Sequence, residues 1–170
     1  MGRAAAVVVL VAALAACGTG GPAGKTPLAV GCTSGTSYAG SRTSDCLAGP
    51  AHRFVVAVDG YEVLVGNWKR TTDDAGRHLI CAGVNVEDVA TTAVPVRPGL
   101  FAVTPPGGRT ETAATAQTNG LVAAVLGPGQ QEGGSVCWSD PGTGGQYVAA
   151  FNPPVRSPHR GIWLIKFVAA

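Results

Sequence analysis

The chain has 170 residues, with twelve Lys and Arg against ten Asp and Glu and a formal net charge of +2. That length fits about one domain. The near balance of charge leaves no basic stripe for nucleic acid and no polybasic run for acidic lipid.

The first element is a removable leader. Met1-Gly2-Arg3 is a short positive start, residues 4–14 are apolar, and small residues follow, which is the anatomy of a secretory signal over residues 1–16. The 13 residues from Ala4 to Ala16 fall short of the roughly 20 that span a bilayer. The alternative, a buried alanine-rich helix, would have to begin at residue 4 with no polar face. Leu14-Ala15-Ala16-Cys17 resembles the bacterial lipobox, and that resemblance implies a diacylglycerol on Cys17 once the signal is cleaved. A thiolate is a suitable nucleophile for taking a lipid. Two or more acyl chains, at about 0.8 kcal/mol per buried methylene, make anchoring stable where one chain would be marginal. The expected location is the outer face of the cytoplasmic membrane. Without Arg3 the mature chain carries eleven basic against ten acidic residues.

From Gly18 to about Val30 the composition is that of a flexible tether. Cys17 aside, Cys32, Cys46, Cys81 and Cys137 remain. An even number in an exported chain reads as two disulfides, and three pairings are open. No CxxC occurs and no Cys lies at zinc-like spacing from a His, so metal ligation by thiolates is not expected. The segment "TSGTSYAGSRTSD" between Cys32 and Cys46 is too polar to order itself. A local Cys32–Cys46 bridge would close it, contributing about 3 kcal/mol in the chain-entropy model.

Period-two alternation begins near Arg53. Phe54, Val56 and Val58 alternate with Val55, Ala57 and Asp59, and after Gly60, which reads as a bulge or bend, the phase continues as Tyr61, Val63 and Val65. "GNWKRTTDDAGRH" reads as a protruding connection rich in turn formers. Ile80, Ala82, Val84 and Val86 mark another strand. "GLFAVTPPGGRTETA" reads as a strand, a Pro-Pro-Gly-Gly turn and a polar return strand. "TETAATAQTNGLVAAVLG" is the one stretch that could hold a helical turn. Strands on Ser135–Trp138, "GGQYVAAFNPP" and "RGIWLIKFVA" close the chain. Twenty-five glycines and twelve prolines interrupt any long 3.6-residue face. Seven or eight short antiparallel strands at this spacing predict an immunoglobulin-like β-sandwich over residues 51–170, with a small barrel as the competing all-β answer. Residues 17–50 form the lipidated terminus, tether and polar loop. The expected core includes Val84, Val86, Phe101, Val136, Trp138, Val148, Trp163 and Ile165.

Four stretches, "RHLICAGVNVED", "VRPGLFAVTPPGGRT", "LGPGQQEGGSVCW" and "GQYVAAFNPP…GIWLIKF", together resemble Ig-like bacterial surface domains related to the mycobacterial immunoprotective extracellular antigen. The resemblance covers roughly 120 residues. It implies a non-catalytic sandwich on a lipoprotein. Pro105-Pro106-Gly107-Gly108 departs from the family's acidic turn. In the topology that the resemblance implies, the strands of Cys81 and Cys137 are neighbours, so these two would bridge on an outer face, contributing about 4 kcal/mol at most.

Candidates for chemistry are sparse. His52, His78 and His159 lack carboxylates at ligand spacing and read as solvated. Asp73-Asp74 and Glu87-Asp88 offer two acids each, where calcium takes six or more oxygens. No nucleophile elbow, Ser-x-x-Lys, HExxH or phosphate loop is present, so no enzyme, cofactor or metal is expected. Trp68-Lys69-Arg70 reads as an interface anchor on a protruding loop, since Trp and Arg are enriched at hot spots; otherwise Trp68 folds back to cap the sandwich. The expected function is a membrane-anchored envelope lipoprotein that binds a protein or ligand through its loops. The alternative is an accessory subunit of an envelope complex that docks through a sheet face.

Overall fold

Two hairpins and their ladders set the frame. The computed structural model describes residues 38, 41–48, 55–113, 119–154 and 159–170. Strand β1 covers Asp45–Leu47, β2 Val55–Val58, β3 Tyr61–Thr72, β4 His78–Asp88 and β5 Val94–Val96. A 3-10 turn at Pro98–Leu100 leads into β6, Phe101–Thr104, and β7, Glu111–Thr112. The chain continues through β8 at Ala124–Leu126, β9 at Gln131–Ser139, β10 at Gly145–Phe151 and β11 at Arg160–Phe167.

The strands form a four-stranded sheet, β2-β3-β4-β9, a five-stranded sheet, β1-β11-β10-β6-β7, and a ribbon of β5 with β8. Tyr61, Val63, Val65, Ile80, Val84, Val86, Val136 and Trp138 meet Phe101, Val103, Tyr147, Ala149, Phe151 and Trp163 in one buried cluster. The fold is therefore an all-β sandwich, as the alternation and turn spacing predict. Phe151 lies 5.1 Å from both Tyr61 and Phe101, ring centre to ring centre, a spacing at which tilted aromatic pairs add about 0.5–1.5 kcal/mol beyond burial. The Tyr61 hydroxyl donates to the Pro95 carbonyl at 2.8 Å. Burial, and then the charge of Asp88, push its pKa up to about 12.

Asp59 and Gly60 join β2 to β3 with φ of 46° and 87°, the left-handed pair of a two-residue type I′ hairpin. A Cβ on Gly60 would also meet Ala90 Cβ at 2.8 Å.

Several expectations are corrected. Val148 is buried, but with Ala150 and Ile162 on the outer face of the five-stranded sheet. Tyr147, Ala149 and Phe151 take the inward phase of β10. Five consecutive buried residues, 147–151, hide that phase from any alternation test. Ile165 is only half-buried against the core. Residues 66–72 are strand rather than connection. β1 and β5 were not predicted, and β1 pairs with β11 in parallel, unlike the antiparallel strands expected. The stretch proposed for a helical turn contributes β7 and β8; its residues 114–118 lie outside the described residues.

The two lateral edges of the sandwich differ. Beside β9, Leu121 N–H donates to Ser135 O at 2.9 Å and Ser135 N–H to Asn119 O at 3.0 Å, sealing that edge. On the opposite side β2 covers β3 only over residues 61–64, and β1 covers β11 only over residues 160–162. Residues 65–72 and 164–167 have no strand partner on that side among the described residues.

Candidate functional site

The open edge is where the sequence-predicted anchor lies. Between Gly66 and Lys69 the β3–β4 register shifts, so that one extra residue sits in β3, and Asn67 at φ 52° absorbs the bend, as in a β-bulge. The bulge reverses the phase of the strand. Lys69 now pairs with outward Cys81 and is exposed, while Arg70 pairs with inward Ile80. Trp68 is half-buried and stacks on Trp138 at 5.7 Å with 16° between planes. The three residues therefore form an edge strand with two side chains turned inward, and not a protruding loop.

Arg70 is spent on internal contacts. Its Nε lies 2.9 Å from Asp140 Oδ2, its Nη2 donates to Thr143 O at 2.6 Å, and its Nη1 donates to Val168 O. The guanidinium carbon sits 5.1 Å from the centre of the Phe167 ring. These contacts fasten the loop after β9 and the C-terminal residues to β3, using the planar fork that Arg offers and Lys lacks.

Beside this cluster the sheets part into a cleft of about 420 Å³ lined by residues 65–68 of β3 and 163–166 of β11. Trp68 and Trp163 supply the aromatic wall, and exposed Lys166 stands at the rim. Sequence reasoning found Trp68 but missed the β11 side, because an edge is open only where its neighbours stop short, and local pattern does not report that.

A second hollow, of about 540 Å³, lies on the outer face of the five-stranded sheet, over Ala102, Val148 and Ala150, with Arg42, Thr104, Thr110, Asn152 and Arg160 around it. Arg160 forms a two-pronged pair with Asp45, both contacts at 2.7 Å. The Tyr38 hydroxyl and the Arg42 N–H also donate to Asp45. Burial alone would raise the Asp45 pKa, but the Arg160 guanidinium, the Tyr38 hydroxyl and the Arg42 amide hold it below the usual carboxylate range. The Tyr38 pKa moves up, through burial and then its bond to Asp45.

The remaining candidates are placed as follows. Cys81 and Cys137 oppose each other across β4 and β9, with Cα atoms 4.2 Å apart, and are bridged. Cys46 is buried and disulfide-bonded; its expected partner Cys32, like the lipidation residue Cys17 and His52, lies outside the described residues. His78 Nδ1 lies 3.4 Å from Thr72 Oγ1, and His159 Nδ1 lies 3.6 Å from Asp59 Oδ1. The Asp73 carboxylate accepts from the Ala75 and Arg77 N–H groups and pairs with the Arg77 side chain; these hydrogen bonds from Arg77 lower its pKa. Fully buried Asp88 accepts from the Ala90 N–H at 2.8 Å. Among the described residues no three His, Cys, Asp or Glu come together as a metal set.

No family model matches the chain, and no curated protein matches it. The fold is similar to that of ycdA, a lipoprotein candidate of Bacillus subtilis. The TM-score is 0.57 at 13% identity, over 67% of this chain and 38% of that one. The chain thus spans less than two fifths of that protein. The secreted protein MPT63 of Mycobacterium tuberculosis superposes with a TM-score of 0.48 at 15% identity, over 68% and 87% of the two chains. A β-sandwich protein of Clostridium difficile gives 0.42 at 9%, over 66% and 89%.

Proposed function

We propose that the chain is a non-enzymatic binding module of the cell envelope, held at the outer face of the cytoplasmic membrane by a lipid on Cys17. The leader and the lipobox-like Leu14-Ala15-Ala16-Cys17 support the location. The lateral cleft between β3 and β11 supports the binding role: it sets an aromatic wall of Trp68 and Trp163 beside strand segments 65–68 and 164–166, which have no ladder partner on that side among the described residues, and exposed strand edges and apolar surface are what binding sites are built from. Contact through this edge replaces contact through a loop, since only Lys69 of the expected trio projects outward.

A second reading, an accessory subunit docking through a sheet face, has one observation in its favour. Gly66 and Gly83 pair on the outer face of the four-stranded sheet, with Gly133 diagonal to them and Leu64 40% exposed beside them. The three glycines leave the backbone bare at that part of the face.

Two measurements on the full chain test these readings. Labelled palmitate enters the wild type and is absent from Cys17→Ser; label in the mutant removes the anchor. Capture from the organism's own envelope extract is then compared for wild type, Trp68→Ala and Leu64→Glu. Cleft binding predicts that Trp68→Ala alone weakens capture, by about 2 kcal/mol on the hot-spot scale. Loss confined to Leu64→Glu selects the sheet face.

A further inference from the structure

We propose that the hollow on the outer face of the five-stranded sheet is a second ligand site, which takes a small phosphate ester with its phosphate at Arg42 and its organic part over the alanine and valine floor. The inference is independent of the cleft and goes beyond the role proposed for it.

The charge comes from the strap that precedes β1 on this face. Tyr38 packs against the cluster of Val148, Ala150 and Ile162. Ser41 N–H donates to Tyr38 O at 3.0 Å and Asp45 N–H to Arg42 O at 3.1 Å, so two consecutive turns hold the strap in place. Asp45 is saturated by the Arg160 fork, the Tyr38 hydroxyl and the Arg42 N–H. The Arg42 side chain is left exposed, with no ion pair among the described residues. No Asp or Glu lines the hollow among the described residues. On the β6–β7 side the Thr104 and Thr110 hydroxyls lie 2.7 Å apart; one donates to the other, which leaves one hydroxyl proton for a ligand. Asn152, whose Nδ2 reaches Leu100 O only at 3.4 Å, adds amide donors. The walls are thus rich in donors and positively charged. A guanidinium fork alone satisfies the two oxygens of a carboxylate, whereas a tetrahedral phosphate presents oxygens to several walls at once. A bare ion would leave most of the 540 Å³ unused. The small side chains of Ala102, Val148 and Ala150 give an apolar floor for an organic group, the mixture of apolar lining and few placed polar groups that ligand hollows show.

The test titrates the full chain, nitrogen-15 labelled in detergent micelles, with glycerol 3-phosphate and inorganic phosphate, and with glycerol and acetate as controls. Glycerol 3-phosphate is expected to shift the Arg42 Nε and Thr110 amide signals saturably, at lower concentration than inorganic phosphate. Arg42→Gln, which keeps the N–H bond to Asp45, weakens that response roughly tenfold or more. Ala150→Leu fills the floor and weakens the ester more than the bare ion. Trp68→Ala leaves the response unchanged, which separates this site from the cleft; a response lost in Trp68→Ala and kept in Arg42→Gln overturns the inference. Vesicles of phosphatidylcholine, alone or mixed with phosphatidylglycerol, then distinguish the source of the ester. Shifts with free glycerol 3-phosphate but not with mixed vesicles assign a soluble ester, and the reverse assigns a lipid headgroup. Acetate binding as tight as glycerol 3-phosphate overturns the choice of phosphate. No shift with any phosphate probe, shifts that never saturate, or shifts undiminished in Arg42→Gln overturn the site.

Discussion

The two lateral edges of this sandwich face the same physical problem and meet it differently. On the β9 side, Asn119–Leu121 bonds to Ser135 and Leu121 is buried to 2% exposure, and the backbone approaches so closely that a Cβ on Gly134 would meet Leu121 N at 2.5 Å. On the β3 and β11 side, β2 pairs with β3 only at residues 61–64 and β1 with β11 only at residues 160–162. An exposed strand edge is a template for pairing, which soluble proteins usually blunt. Here the blunting devices, a bulge in β3 and Lys166 on β11, leave the intervening cleft accessible. Among the described residues, sealing by a hydrogen-bonded segment occurs on the β9 side alone.

The largest expected effect falls where the open cleft meets the shared core. Trp163, 2% exposed, belongs to both, and Trp163→Ala should cost about 3–5 kcal/mol in chemical denaturation. An unchanged midpoint would mean that the open side contributes nothing to the core.

Next comes the strand whose end defines the open edge. Asp45→Asn breaks the buried pair that pins β1 to Arg160 and should cost about 3 kcal/mol. The Asp45 pKa is lowered in the folded state, so its contribution is fully present above the ordinary carboxylate pKa. It is lost as pH falls through the lower folded value. The gap between wild type and Asp45→Asn, measured across a pH series, should therefore close in acid. A gap that persists below both values would assign the stabilisation to packing.

The same substitution on the two edges gives the sharpest contrast. Gly134→Ala should destabilise by about 1–3 kcal/mol through overpacking. Gly66→Ala should be neutral or stabilise by about 0.5 kcal/mol, through the unfolded chain. Equal effects would mean that the backbone of Leu121 does not crowd β9 any more than solvent crowds the outer face of β3. Between these two in size, Trp68→Ala forfeits its stack on Trp138 and should cost about 1 kcal/mol, separable by thermal melts from any effect on binding.

The sandwich is legible because turn residues and alternation agree along most of the chain, as in the Val84/Val86 phase and the Pro-Pro-Gly-Gly turn; Gly60, which reads as a bulge or bend, is instead half of a hairpin turn between β2 and β3. The candidate site was legible only in part. Trp68 was noticed, but the bulge at Asn67 shifts the alternation by one residue, and a shifted alternation looks like no alternation at all. The phase of Val148 is hidden because small alanines follow it and both faces of β10 are covered. The pairing of Asp45 with Arg160 spans 115 residues, and no local pattern carries a contact of that kind.

The bridge between Cys81 and Cys137 encloses a separation of 56 residues that includes β5 to β8. A protease that cuts anywhere between residues 82 and 136 therefore converts one chain into two without producing two molecules. The halves remain joined at the centre of the β4–β9 ladder, which pairs residues 79–87 with 131–139. Their reassembly stays intramolecular, at the high effective concentration that a covalent link confers. In an extracellular setting such a nick would leave the particle's size and tether unchanged until a reductant separated the fragments.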